Sequence, residues 1–233
     1  MMNRPYIICH MVTSVDGKVT GDFLGRPECE AATEIYYEIN RNFKADGFIC
    51  GRITMEGSFT GGRYPELTDY EPVKSKTDYV AEELSGFYAV AFDPKGRLGW
   101  ETDKIIDPDE DPGYDGAQII EVLTQQVDER YLGYLEKTGI SYIFAGETEI
   151  DVELALQKLG SLFDCKTLLL EGGSIINGTF QQADAIDELS LVVATIIADK
   201  KDKPLFNESK ASGYGLIKCE NRNGVIVMNY KRK

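Results

Sequence analysis

The chain of 233 residues carries a formal net charge of −14, which leaves no basic face for nucleic acid or an anionic membrane. A phosphorylated ligand stays possible, because a few local cations and helix ends can hold it. With 42% hydrophobic and 27% charged residues the composition is that of a soluble globular protein, and with no run near the roughly 18 apolar residues of a membrane span and no signal-peptide pattern, a cytoplasmic location is expected.

Cys9, Cys29, Cys50, Cys165 and Cys219 are widely spaced and include no C-x-x-C pair. They read as reduced core residues, without a disulfide framework or a zinc site. His10 is the single histidine, so a multi-histidine metal site is excluded and no metal is expected. It lies in an apolar run, where a packed, hydrogen-bonded histidine is favoured over a catalytic one.

Residues 6–12 form the first strand, which runs into Thr13-Ser14-Val15-Asp16-Gly17-Lys18, where Asp-Gly is a strong turn former. Ala31, Ile35, Ile39 and Phe43, with Tyr36 beside them, mark the inner face of a helix over 28–43. A second strand at 46–50 ends in Gly51-Arg52-Ile53-Thr54, where Thr54 is placed to cap a short helix over 54–58 and Arg52 could grip a phosphate. Residues 60–85 are polar and irregular, and with the acidic stretch 107–115 they suggest a loop-rich insertion over about 60–116. Between them 87–92 is a buried strand.

Strands at 117–123 and 140–145, the latter closed by Gly146, alternate with helices at 127–138 and 151–163, the second capped by Asp151. Leu168-Leu169-Leu170 is a short strand buried on both faces, and Glu171-Gly172-Gly173-Ser174 follows it. Two glycines let the backbone approach a ligand, and Ser174 is placed to cap a helix over 174–183 that faces Ile175, Ile176 and Phe180 inward. That is an anion cradle. Residues 189–198 form a central strand, and 216–220 and 225–231 flank Asn221-Arg222-Asn223-Gly224 as an antiparallel hairpin. Strands separated by helices point to a mostly parallel sheet with helices on both faces, built as one domain over 1–233.

Ligands of open α/β sheets sit at the carboxyl ends of strands. Ser14 and Asp16, Gly51, Arg52 and Thr54, Gly146, and Gly172 to Ser174 all fall there. The segments Ser14-Val15-Asp16-Gly17-Lys18, Gly51-Arg52-Ile53-Thr54, Leu170 to Gly178, Ala185 to Leu189 and Pro204-Leu205-Phe206 together resemble the reductase domain of the riboflavin-biosynthesis deaminase-reductase family, with its dihydrofolate-reductase-like three-layer fold.

The resemblance implies NADPH-dependent reduction of 5-amino-6-(5-phosphoribosylamino)uracil by a homodimer. It implies that Gly51, Arg52, Thr54, Gly146, Glu171, Gly172, Gly173 and Ser174 bind the cofactor. It places Ser14 beside the nicotinamide and makes Asp16 the candidate proton source or substrate anchor, with Lys18 on the substrate side. The residues also depart from the family. The His-x-Glu and Pro-Cys-x-x-Cys deaminase signature is absent from them, and Gly57 to Arg63 stands where the family's Asp-Pro-Arg segment holds the substrate phosphate. Arg63 is the candidate substitute. Two other readings stay open: a reductase of the same fold acting on another heterocycle such as a pterin, and a nucleotide-binding protein without turnover. Substitution of Asp16 separates enzyme from binder.

Overall fold

The computed structural model describes residues 4–108 and 113–233, so part of the expected acidic loop, 109–112, lies outside the described residues. In chain order the elements are β1 (Tyr6–Thr13), β2 (Lys18–Thr20), α1 (Pro27–Phe43), β3 (Gly47–Gly51), α2 (Arg52–Met55), β4 (Tyr88–Phe92), β5 (Gln118–Leu123), α3 (Glu129–Thr138) and β6 (Ser141–Phe144). Then come α4 (Val152–Leu162), β7 (Thr167–Leu170), α5 (Ser174–Gln182), β8 (Glu188–Val193), β9 (Lys203–Pro204), β10 (Tyr214–Arg222) and β11 (Val225–Arg232). The fold is mixed α/β with mostly parallel strands and a C-terminal antiparallel hairpin. The chain divides into two compact units, Met1–Pro5 with Asp46–Lys166, and Tyr6–Ala45 with Thr167–Lys233.

The first unit is a run of parallel neighbours, β3 beside β4, β4 beside β5 and β5 beside β6. Parallel pairing needs a crossover between successive strands, and α3 supplies it between β5 and β6. These strands are buried on both faces, so they read in sequence as continuous apolar runs such as Tyr88-Ala89-Val90-Ala91-Phe92. Asp128 and Asp151 cap α3 and α4, their carboxylates accepting the N–H groups of Arg130 and Leu154 at 2.8 and 3.1 Å. Val152, Ala155, Leu156 and Leu159 form the buried face of α4, and Leu162 in its last turn is exposed.

In the second unit the order is β10, β11, β8, β1, β7, with β1 parallel to β7 and β8, and β11 antiparallel to β8 and β10. α1 packs on this sheet through Cys29 and Ala32, with Ile35, Tyr36 and Ile39 beside Val12, Val192, Val225 and Val227. Each such buried aliphatic side chain is worth about 1.5–3 kcal/mol. Ile35, Tyr36 and Ile39 thus lie on the inner face as expected, whereas near the start of the helix Cys29 and Ala32 take the inner positions and Ala31 is exposed. The strand expected over 189–198 stops at Val193, and Ile197 is exposed. Its apolar run continues past the length over which β1 can pair with it, since that register ends at Thr13 with Val193.

His10 fills the packed role. Its ring stacks on Tyr36 at 4.3 Å, Nε2 donates to the Tyr36 carbonyl at 3.0 Å, and Nδ1 meets the Ser190 hydroxyl at 3.0 Å. Burial lowers its pKa to about 4, so the ring is neutral. Cys9, Cys29, Cys50 and Cys165 are buried free thiols, whereas Cys219 is exposed on β10, contrary to a core role for all five.

Candidate active site

In the second unit the chain leaves β1 and folds back on itself at once. The Ser14 N–H donates to the Lys18 carbonyl and its Oγ accepts the Lys18 N–H, both at 2.9 Å, while the hydroxyl donates to Asp16 Oδ1 at 2.7 Å. The N–H of Ala198, just past β8, donates to the same oxygen at 3.0 Å. The Ala198 amide first and the Ser14 hydroxyl second hold the Asp16 carboxyl below its ordinary pKa. An exposed carboxylate stabilised in its charged form is a poor proton donor at neutral pH. The arrangement therefore argues against Asp16 as proton source and retains it as an anchor that accepts hydrogen bonds.

The loop after β7 lies beside β1, because the parallel register pairs Cys9 with Leu170. Gly172 has φ +102°, and a Cβ there would stand 3.1 Å from Met11 Cε. The backbone conformation thus favours a glycine, and a Cβ would also press on the flexible end of Met11. The Gly172-Gly173 peptide bond is cis. Glu171 is buried, and its Oε1 accepts from Asn40 Nδ2 at 2.5 Å.

α5 begins one residue earlier than a Ser174 cap requires. Gly173 occupies the cap position and no side chain caps the helix. Ser174 lies in the first turn instead, buried, with Oγ lacking a hydrogen-bond partner among the described residues. Asn177 stands one turn on, also buried. Its Nδ2 donates to the Leu205 carbonyl at 3.2 Å, and its Oδ1 lacks a partner among the described residues. Ile175, expected inside, is 62% exposed, whereas Ile176 and Phe180 are buried as expected.

Asn177 and Asn40 were not singled out from sequence. The available signal for Asn177 was the polar series Ser174, Asn177 and Gln181 at helical spacing, which places all three on one buried face. For Asn40, at the polar end of an amphipathic helix, no sequence signal pointed to a buried carboxylate 131 positions away.

One short segment ties these parts together. The Leu205 N–H donates to the Gly17 carbonyl at 3.0 Å, Leu205 receives the Asn177 amide, and the Asn207 N–H donates to the Ser174 carbonyl at 3.0 Å. β9 pairs with β2 just upstream. The structure thus brings Ser14, Asp16 and Lys18 together with Glu171, Gly172, Gly173 and Ser174 within one unit.

Gly51, Arg52, Thr54, Arg63 and Gly146 belong to the other unit. Its parallel strands end at Gly51, Phe92, Leu123 and Phe144, so Gly51, Asp93, Thr124 and Gly146 gather at one sheet edge. Gly51 caps α2 and Thr54 lies inside it, so the expected Thr54 cap does not form. The Arg52 guanidinium pairs with Glu56 one turn on. Gly146, at φ +117°, has no room for a Cβ, which would meet the Glu149 carbonyl at 2.0 Å; the turn into α4 demands this glycine. Arg63 pairs with Glu101 at 3.2 Å and lines an open cleft of about 400 Å³ with Tyr70, Trp100, Tyr134 and Lys137.

Two buried carboxyls beside this edge also escaped the sequence reading. Asp93 accepts the N–H groups of Arg97 and Leu98, the latter at 2.9 Å, and Glu121 Oε1 accepts from the Trp100 indole at 2.5 Å and from the Tyr131 hydroxyl at 3.3 Å. Burial raises the pKa of both, and that of Glu121 well above its ordinary value. Among the described residues no group of three or more His, Cys, Asp or Glu side chains could hold a metal ion, and no helix is long and apolar enough to cross a membrane.

Among solved structures, a pyrimidine reductase-like protein of Corynebacterium diphtheriae aligns at a TM-score of 0.69 and 18% identity, over 100% of this chain and 93% of that one. RibD of Acinetobacter baumannii aligns at 0.67 and 18%, covering 99% of this chain and 58% of that one, so the chain spans little more than half of that protein. The riboflavin biosynthesis reductase Rib7 of Saccharomyces cerevisiae aligns at 0.64 and 14%, over 100% and 92%. These likenesses establish the fold. The match of residues 5–223 to the RibD C-terminal domain establishes the family, and the chain belongs to it.

Proposed function

We propose that the chain is an NADPH-dependent reductase of the 5-amino-6-(5-phosphoribosylamino)uracil type, acting in riboflavin biosynthesis as a cytoplasmic homodimer. The observation that carries the cofactor reading is the pair of buried polar atoms without partners, Ser174 Oγ and Asn177 Oδ1, behind two glycines at the start of α5. Leaving such an atom unsatisfied costs about 1–3 kcal/mol, a cost that persists where a ligand removes it. A phosphate oxygen could accept from the Ser174 hydroxyl, and a ribose hydroxyl could donate to Asn177 Oδ1. The first-turn amides of α5 favour an anion.

When bound, NADPH supplies the hydride. The chain's own residues bind and orient. Gly172, Gly173 and Ser174 hold the pyrophosphate and ribose, and Glu171, fixed by Asn40, positions that loop. Gly51, Thr54 and Gly146 stand as cofactor contacts by the resemblance, and Arg52 would exchange Glu56 for a phosphate. Ser14 orients Asp16, whose carboxylate would accept an N–H or O–H of the heterocycle, with Lys18 as a nearby cation. The ion pair of Arg63 with Glu101 favours a second reading, in which the reduced heterocycle carries no ribose phosphate and resembles a pterin.

Titration of NADPH and NADH, followed by nicotinamide fluorescence, tests the proposal with wild type and Ser174→Ala. NADPH is expected to bind, and the variant is expected to fold at least as stably while binding about fivefold or more weakly, since one hydrogen bond of about 1 kcal/mol is lost. No binding of either nucleotide at high micromolar concentration refutes the reductase reading. Turnover of the phosphoribosyl pyrimidine against a dihydropterin then decides the substrate.

A further inference from the structure

Within the second unit, the chain between β9 and β10 has no regular structure, and residues 205–212 lie as a strap along α5. The strap keeps to one stripe of the helix, Ser174, Asn177, Gly178 and Gln181, which share a single face by their spacing of three and four. The Asn207 N–H donates to the Ser174 carbonyl at 3.0 Å, and a Cβ on Gly178 would stand 2.6 Å from the Glu208 carbonyl oxygen. The bare backbone at Gly178 is what lets the strap touch the helix.

Gln181 fastens the far end. Its Oε1 accepts the Lys210 N–H at 2.8 Å, and its Nε2 donates to the Lys210 carbonyl at 2.7 Å and to Ser212 Oγ at 2.9 Å. Gln181 is buried, whereas residues 207–213 are exposed. A segment that buries no apolar side chain is held by its hydrogen bonds and opens readily once they are removed.

The near end reaches the glycine pair of the cradle. Asn177 Nδ2 donates to the Leu205 carbonyl at 3.2 Å, and a Cβ on Gly172 would stand 4.0 Å from the same nitrogen. An amide side chain is a donor on one side and an acceptor on the other, whereas a carbonyl only accepts. The strap therefore claims Nδ2 and leaves Oδ1 as the atom that Asn177 offers. With the strap lifted, the amide loses that restraint and is free to turn over or away.

We propose that Gln181 is a positioning residue, which acts through the strap to hold Asn177 with Oδ1 presented to a ribose hydroxyl of the cofactor. This rests on the NADPH reading and adds a residue one turn beyond the proposed contact.

Two readouts on the full chain test it, NADPH titration by nicotinamide fluorescence and amide hydrogen exchange over 205–212. Gln181→Ala is expected to speed exchange in the strap by roughly tenfold and to weaken NADPH about fivefold, since affinity falls with the population of the closed strap. In an Asn177→Ala background the same change should cost less than about twofold, because the residue it positions is gone. Lys210→Pro removes the strap's N–H without touching α5 and should match Gln181→Ala, whereas Lys210→Ala keeps that N–H and should bind as wild type does. This second pair carries the test if Gln181→Ala does not fold. A fast-exchanging strap with wild-type affinity, a strap that exchanges no faster, or an equal loss with and without Asn177 overturns the positioning role and leaves the cofactor reading standing. A wild-type chain that binds no NADPH overturns both.

Discussion

Gly172→Ala is the perturbation that tests the cradle most directly. The residue sits at φ +102°, outside the left-handed region that L-residues visit readily, and such a conformation costs about 1–3 kcal/mol once a Cβ is present. The contact with Met11 Cε at 3.1 Å adds less, because that atom ends a flexible thioether which can swing aside. A loss of about 2 kcal/mol is expected in urea unfolding, and replacing Met11 by Leu in the same chain should recover little of it. If strain makes the loop yield, it moves at the atoms proposed to meet the pyrophosphate. NADPH affinity should then fall by at least tenfold in a variant that still folds cooperatively. A Gly172→Ala protein as stable as wild type would refute the backbone argument, and one that binds NADPH unchanged would remove the loop from the cofactor site.

Two further outcomes concern pH. Burial raises the Glu121 pKa well above its ordinary 4.5, so the folded chain keeps a proton that the unfolded chain releases. The stability this contributes is whole below about pH 4.5 and is lost as pH rises through the folded value, at up to about 1.4 kcal/mol per pH unit. Glu121→Gln should remove that slope in urea unfolding followed by Trp100, the single tryptophan, and an unchanged slope would contradict it. His10 has the opposite sign. Its folded pKa of about 4 lies below 6.5, so its contribution is present above pH 6.5 and lost as pH falls through 4, about 3 kcal/mol in all. His10→Gln should flatten stability over that interval, and a variant as acid-sensitive as wild type would show that the ring is not held neutral.

The elements were legible where one local signal decided them. Asp151 was placed to cap a helix and Asn223-Gly224 to close a hairpin, and the carboxylate and backbone angles do so. Ser174 and Thr54 misled because a hydroxyl near a helix start is a cap only if the helix begins immediately after it. In both cases a preceding glycine took the cap position and drew the hydroxyl inside. The acid role of Asp16 was unreadable for another reason. Its protonation depends on the Ala198 amide, which arrives from 182 positions away.

From its residues alone the protein reads as a mostly parallel α/β chain, because apolar runs, glycine turns and capping carboxylates act over a few neighbouring positions, and its motif segments resemble the riboflavin-biosynthesis reductase family. Only the tertiary structure decides which polar groups end unsatisfied and which are already spent. Ser174 and Asn177 keep open atoms, while Ser14 is bound to Asp16 and Arg52 to Glu56. Hydrogen bonding is settled by distance and angle between groups far apart in the chain. The same holds for the loop that joins Gly17, Asn177 and Leu205, where three sequence segments become one site.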